Sequence, residues 1–327
     1  MDDLQRSLLN VFATGDLDRA VLRRKDHQWF ERLGASSMAR YVAFFKGRFL
    51  LADNSIDRPA WLSYGEIAQF VQSAQVRVFL GRRDSIGYFA ADIDDSRFVR
   101  QYCDANHRLA DLRQFGSKLR PEDASVLSYA KALFHWHRAH RYCGFCGTET
   151  VQGQAGHVRV CSDDACEKIH FPRIDPAIIV AVQFEDRCLF GRQPSWAENR
   201  YSVIAGFVEP GESIEQAVVR EVMEETNIRL ATVKYRSSQP WPFPGSIMLG
   251  FNATAASKEI SLNDGELQDA HWRNVEEVVE GLTTGDFLLP PKLSIAYRLI
   301  EHWFDSRFEE PLSELLDRTG RHTESMK

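Results

Sequence analysis

The chain contains no apolar run near the roughly 18 residues that a membrane-spanning helix needs, so a bilayer-spanning helical protein is not expected. It also lacks an excess of positive charge. Forty Lys and Arg against 46 Asp and Glu leave a formal charge of −6, which argues against attachment to nucleic acid through bulk charge and leaves only a local basic patch open. The opening stretch, MDDLQRSLLNVFATGDLD, has no basic segment ahead of an apolar core, so neither a secretory signal nor an Arg-rich transit peptide is read there. A cytoplasmic location is the expectation. Cysteine is scarce too: of six, Cys103 and Cys188 stand alone, and the other four crowd into one short stretch. That distribution suggests a metal site rather than a disulfide framework.

What is present is ordinary globular material. Hydrophobic residues make up 44% and charged residues 26% of 327 positions, enough for about two folded units. Short β-like runs at Tyr41–Phe45, Arg48–Leu51, Val76–Leu80 and Tyr88–Ala91 predict a β-rich N-terminal domain over residues 1–120. A linking helix is predicted over 121–141, because Pro121 suits a first helical position and Leu127, Ala130, Leu133 and Phe134 repeat at helical spacing. The cysteine insert then covers 142–172. A mixed α and β domain, opening on Ala177-Ile-Ile-Val-Ala-Val, covers 173–306, and 307–327 reads as a tail, mobile from about Asp317. A weak internal echo links Phe79-Leu-Gly-Arg and Gly87-Tyr-Phe-Ala-Ala to Leu189-Phe-Gly-Arg and Tyr201-Ser-Val-Ile-Ala-Gly-Phe. It suggests that the N-terminal domain is a chemically silent relative of the second, since no acidic helix follows the first copy.

Cys143-x2-Cys146 and Cys161-x4-Cys166 form two knuckles able to close a tetrahedral thiolate site around Zn²⁺. Four protein ligands leave no open position, so the predicted role is structural. Arg138, His140 and Arg141 beside the insert keep a second reading open, a zinc ribbon that holds RNA.

Chemistry is concentrated between Gly206 and Ile228, GFVEPGESIEQAVVREVMEETNI. Ser213 followed three residues later by Gln216 is a capping-box signature, so a helix should start there. On it Glu221, Glu224 and Glu225 stand at i, i+3 and i+4, converging on one arc. Three glutamates alone describe a solvated acidic face. A divalent cation, Mg²⁺ or Mn²⁺, would turn their repulsion into coordination and bridge them to substrate phosphates. Arg220 can pair with Glu224 one turn on.

The spacing Gly206, five residues, Glu212, seven residues, then Arg-Glu-hydrophobic-x-Glu-Glu resembles the box of the Nudix hydrolases. Asn227 replaces the family's Gly at the helix end, and Asn is the next best residue for a left-handed cap. Ten residues on, Ser238-Gln-Pro-Trp-Pro-Phe-Pro-Gly-Ser-Ile-Met is too proline-rich for a central strand or a helix and reads as a stiff loop. This segment is similar to the SQPWPFP signature of the NADH pyrophosphatase group within that family. His170-Phe-Pro-Arg-Ile-Asp-Pro, Leu289-Pro-Pro and Ser294-Ile-Ala also look like that group, over roughly residues 75–305.

The resemblance implies an α/β (α+β) fold, a Nudix α/β/α sandwich with an N-terminal β-rich domain and a zinc-ribbon insert. It implies metal-dependent hydrolysis of the NADH or NAD⁺ pyrophosphate to nicotinamide mononucleotide and AMP, with removal of NAD caps from RNA 5′ ends as a related activity. Hydrolysis of ADP-ribose or dinucleoside polyphosphates is the rival within enzymes. Glu221, Glu224 and Glu225 would be catalytic metal ligands, joined by Glu266 of the Asp264-Gly-Glu-Leu loop, with Glu225 also a candidate base. Phe171 and Phe207 look like the purine-stacking aromatics, Phe171 standing where Tyr is common, although both could instead be core residues. Ala205, Ala296 and the segment Gln239, Pro240, Trp241, Pro242, Phe243, Pro244, Gly245 and Ser246 would supply further substrate contacts. The family also implies a homodimer whose sites draw on both chains.

Overall fold

The computed structural model describes residues 1–52, 57–103, 107–263 and 265–321. Asp264 and the last six residues of the expected tail lie outside them. The chain divides into two units, residues 14–174 with 241–245, and residues 1–13, 175–240 and 246–327. Helix α1 (Asp3–Leu8) therefore belongs to the second unit and not to the N-terminal domain in which residues 1–120 were expected.

In the first unit a sheet is formed by β1 (Ala39–Phe45), β2 (Arg48–Leu51), β3 (Trp61–Ser63), β4 (Val76–Arg83), β5 (Ile86–Asp92) and β6 (Arg108–Ala110). Its order is β4-β5-β1-β2-β6, with β3 also on β1. The β1–β5 pair is parallel and the others antiparallel. Helices α2 (His27–Gly34), α3 (Tyr64–Val71), α4 (Ser96–Cys103), α5 (Leu112–Phe115) and α6 (Pro121–Ala139) accompany it. Pro121 sits in the first turn of α6, where its missing N–H costs nothing. After α6 comes a small three-stranded sheet, β7 (Thr150–Gly153), β8 (Val158–Cys161) and β9 (Ile169–His170).

The second unit repeats the plan. Strands β10 (Asp175–Phe184), β11 (Arg187–Arg192), β12 (Ile204–Phe207), β13 (Leu230–Trp241), β14 (Ser246–Ala255) and β15 (Asp269–Arg273) run in the order β13-β14-β10-β11-β15, with β12 on β10. Again the first strand pairs in parallel with the fifth. β10 explains its own sequence: Ile178, Val180 and Val182 point into one core with Ala217, Val218 and Val222, and Ile179 and Ala181 into another. A strand buried on both faces reads as a continuous apolar run. The first core lies under α7 (Ile214–Thr226); the second lies under α8 (Val275–Thr284), α9 (Ile295–Asp305) and α10 (Leu312–Thr319). This is an α/β/α sandwich.

Two expectations need correction. The tail beyond residue 307 includes α10, whose Leu312, Leu315 and Leu316 are buried in the second core, so the chain stays ordered past Asp317 to the cap at Gly320. Ser238 to Trp241 is strand, not loop: β13 is the edge of its sheet, where Pro240 need not donate to a neighbour. The turn proper is confined to Pro242 to Gly245.

Candidate active site

Helix α7 is set by local chemistry. Ser213 Oγ accepts the Gln216 N–H at 3.2 Å and the Ser213 N–H donates to Gln216 Oε1 at 2.8 Å, closing the capping box. At the other end Asn227 adopts φ 59°, the left-handed cap expected of it, and donates its N–H to the Met223 carbonyl.

Arg220 organises the acidic face. Its guanidinium donates to Glu212 at 2.7 and 3.1 Å, to Glu221 at 2.9 Å, to Glu224 at 3.0 Å and to the Phe207 carbonyl at 2.9 Å. Glu212 also accepts the Glu209 N–H at 2.7 Å, so the loop before the helix is tied to it. Its carboxyl is held below the usual range by Arg220. One arginine thus links the end of β12, the intervening loop and two helical carboxylates. The sequence reading assigned it only the Glu224 contact.

Glu221 lies against the backbone of Gly206: a Cβ added there would fall 1.9 Å from the Glu221 carboxyl carbon. Glycine is the residue that leaves room for this cradle. Burial raises the Glu221 pKa; Arg220 opposes the rise, and the negative charges of Glu224 and Glu266 add to it. Glu225 is 2% exposed, whereas Glu224 and Glu266 are exposed. All four offer carboxylate oxygens, the donor type that a hard divalent cation such as Mg²⁺ or Mn²⁺ takes, and Arg220 pairs with two of them; among the described residues their oxygens are not drawn together closely enough to share one ion.

The other expected contacts divide by unit. Ala205 and Phe207 lie on β12, and Phe207 is 59% exposed, so it is not a core residue. Gln239 is 0% exposed; its amide donates to the Val11 and Leu293 carbonyls and accepts the Ile295 N–H, at 2.8 to 2.9 Å. Ala296 is buried in the first turn of α9, its N–H donated to Ser294 Oγ at 3.2 Å. Both hold the frame from inside the fold, and neither offers a side chain to solvent. Pro240 is the last residue but one of β13, and Ser246 begins β14. In the first unit Phe171 is 68% exposed. The Trp241 ring, at the end of β13, and the Phe243 ring of the turn meet edge to face at 5.1 Å, and the Arg113 guanidinium lies 4.5 Å from the Phe243 ring. Pro242 is buried, Pro244 exposed and Gly245 intermediate.

The four cysteines converge. Among the described residues, Cys143, Cys146, Cys161 and Cys166 form the one group of three or more ligand atoms close enough to share a metal, all within 4.8 Å of one another. Sγ pairs lie 3.9 Å apart for Cys143 and Cys166 and 3.4 Å for Cys146 and Cys161. Four thiolates about 2.3 Å from zinc sit about 3.8 Å apart, so the set fits a closed Zn²⁺ site. Hydrogen bonds from Thr148 bring the Cys146 thiol down, while burial and the neighbouring thiols push Cys161 and Cys166 up, so the four thiols do not ionise alike.

Comparison with known proteins agrees segment by segment. The NUDIX domain profile matches residues 172–293. The profile of the NADH pyrophosphatase-like rudimentary NUDIX domain matches 38–136, and that of the NADH pyrophosphatase zinc ribbon domain matches 138–171. The "NAD-capped RNA hydrolase NudC" of Stutzerimonas stutzeri is 35% identical over 271 residues, 83% of this chain and 91% of that protein. The "NAD-capped RNA hydrolase NUDT12" of Macaca fascicularis is 40% identical over 197 residues, 57% of this chain and 43% of its own length. The chain thus spans less than half of such primate relatives. A solved NUDIX hydrolase from Nitrosomonas europaea aligns with a TM-score of 0.40 at 17% identity, over 51% of this chain and 92% of that one.

Proposed function

The chain belongs to the Nudix hydrolase family, and on that premise we propose that it hydrolyses the pyrophosphate bond of NADH or NAD⁺ to nicotinamide mononucleotide and AMP, and removes NAD caps from RNA 5′ ends. The observation that carries the reading is the Glu221 carboxylate seated against Gly206 beside Glu224, in an all-oxygen donor set. Glu221, Glu224, Glu225 and Glu266 would hold Mg²⁺ or Mn²⁺, which when bound neutralises diphosphate charge and makes a bound water more acidic. Arg220 fixes the carboxylates, and the exposed rings of Phe171 and Phe207 are free to stack on a base. The relatives named as NAD-capped RNA hydrolases support the choice of dinucleotide.

The same reading includes a homodimer. Tyr142, Phe145, Ile169 and Ile174 of the ribbon region are all exposed, apolar surface that a second copy would cover. Four reduced thiols need a reducing compartment, which supports a cytoplasmic location. The direct test incubates the purified chain and Mg²⁺ or Mn²⁺ with NADH, NAD⁺, ADP-ribose and diadenosine polyphosphates, with products identified by mass. Mononucleotide and AMP from NADH, with the highest kcat/KM of the panel, are expected. Release of free nicotinamide, or preference for ADP-ribose, would overturn the assignment.

A further inference from the structure

Arg159, on β8 of the ribbon, is 8% exposed, and its charge is offset only at longer range, by the Glu149 carboxylate. Its Nε donates to Thr150 Oγ1 at 2.5 Å, one Nη to the Thr150 carbonyl at 2.5 Å and the other to His137 Nδ1 at 3.1 Å. All three acceptors are neutral. His137 stays uncharged, because its Nε2–H is committed to the Gly156 carbonyl at 2.9 Å and burial lowers its pKa to about 4. Among the described residues no carboxylate lies within ion-pair reach of Arg159. A guanidinium has five N–H groups and cannot lose its proton, so two donors remain, on a buried charge that Glu149 offsets only in part.

Arg159 lines a cavity of about 310 Å³ whose wall also includes His137, Arg138, Arg141 and Glu149. Arg138 is already neutralised by the buried Asp92, through two hydrogen bonds of 2.7 and 2.9 Å. Arg141 stands 3.8 Å from Glu149, both well exposed, a loose pair that can open. We propose that this cavity binds a phosphate-class oxyanion, with Arg159 at its base and Arg141 at its mouth. The anion is either free phosphate or a phosphate monoester, or one phosphodiester of an RNA strand. Neither the acidic helix nor the proline hairpin enters into it.

The test titrates inorganic phosphate into the full-length protein without added divalent metal, against chloride at matched ionic strength, and follows Tm. At about ten times Kd a rise of about 2–4 °C is expected, kept in Glu225→Gln, reduced by half or more in Arg141→Ala and lost in Arg159→Gln. If Arg159→Gln does not fold, Arg141→Ala decides alone. A short uncapped single-stranded RNA separates the sources: competition with phosphate assigns a phosphodiester, and an unchanged phosphate titration assigns a free anion. No rise beyond chloride together with no RNA binding, or a rise undiminished in Arg141→Ala, would overturn the proposal.

Discussion

At the scale of single residues, the site depends on one missing side chain. Gly206, on β12, leaves the space that the Glu221 carboxylate occupies. Gly206→Ala must push that carboxylate off its seat, and a misplacement of about 1 Å in a reacting assembly costs about a hundredfold in rate. The expected outcome is a loss of at least that size in kcat/KM with little change in Tm, read by steady-state kinetics beside thermal unfolding. Near-normal turnover would mean that Glu221 has no fixed catalytic position. Glu225 is the complementary case, because it is buried where the other glutamates are partly open. Glu225→Gln keeps its shape and removes its charge, so kcat should fall several hundredfold while the circular dichroism spectrum is unchanged. Retention of more than about a tenth of the rate, an effect under roughly 1.4 kcal/mol, would remove Glu225 from the metal-binding set. The glutamates were legible because helical spacing is local. The Gly206 cradle and the Arg159 charge were not, since both depend on what the fold brings alongside.

At the scale of elements, legibility followed how locally each one is specified. Helix α7 could be read because its caps, Ser213 and Asn227, and its apolar stripe lie within one stretch. Helix α10 was missed: Leu312, Leu315 and Leu316 make a short apolar stripe in a polar segment, and only the core shared with α8 and α9 gives it somewhere to pack. The prolines of Gln239 to Pro244 excluded a central strand but could not reveal that β13 runs along a sheet edge. Around the ribbon, strands β7 to β9 are two to four residues long, too little to build a core without a staple. Zinc should therefore contribute directly to folding there. We expect about one zinc per chain by elemental analysis, and Cys143→Ser should lose the metal and lower Tm while kcat at a permissive temperature stays close to normal. Full zinc content in that variant would show that the four thiols are not a single site.

At the scale of the whole molecule, the chain carries the same sheet twice, but chemistry only once. β1 to β6 and β10 to β15 share strand order, the parallel pairing of first with fifth, and a helix after the third strand. The echo in sequence does not mark that repeat, because it joins strands that do not correspond: Phe79-Leu-Gly-Arg lies on β4 and Leu189-Phe-Gly-Arg on β11. Topology persists where residue identity does not, so the repeat had to be seen rather than spelled out. In the first copy α3 keeps the capping box, Ser63 with Glu66, but that glutamate is consumed by the cap and no acidic row follows it. Recruitment of RNA must then work against a formal charge of −6. Arg138, once a candidate for holding RNA, is spent on Asp92, which leaves Arg159 and Arg141 as the arginines of that cavity able to meet a phosphate. Each neutralised phosphate of a single strand contributes about 0.7 to the salt slope, so two give roughly a sevenfold loss between about 50 and 200 mM salt. We therefore expect kcat/KM for NAD-capped RNA to fall by less than about tenfold over that range relative to NADH, and Arg141→Ala to flatten the difference. A relative fall of a hundredfold or more would require a longer cationic track than these two arginines provide.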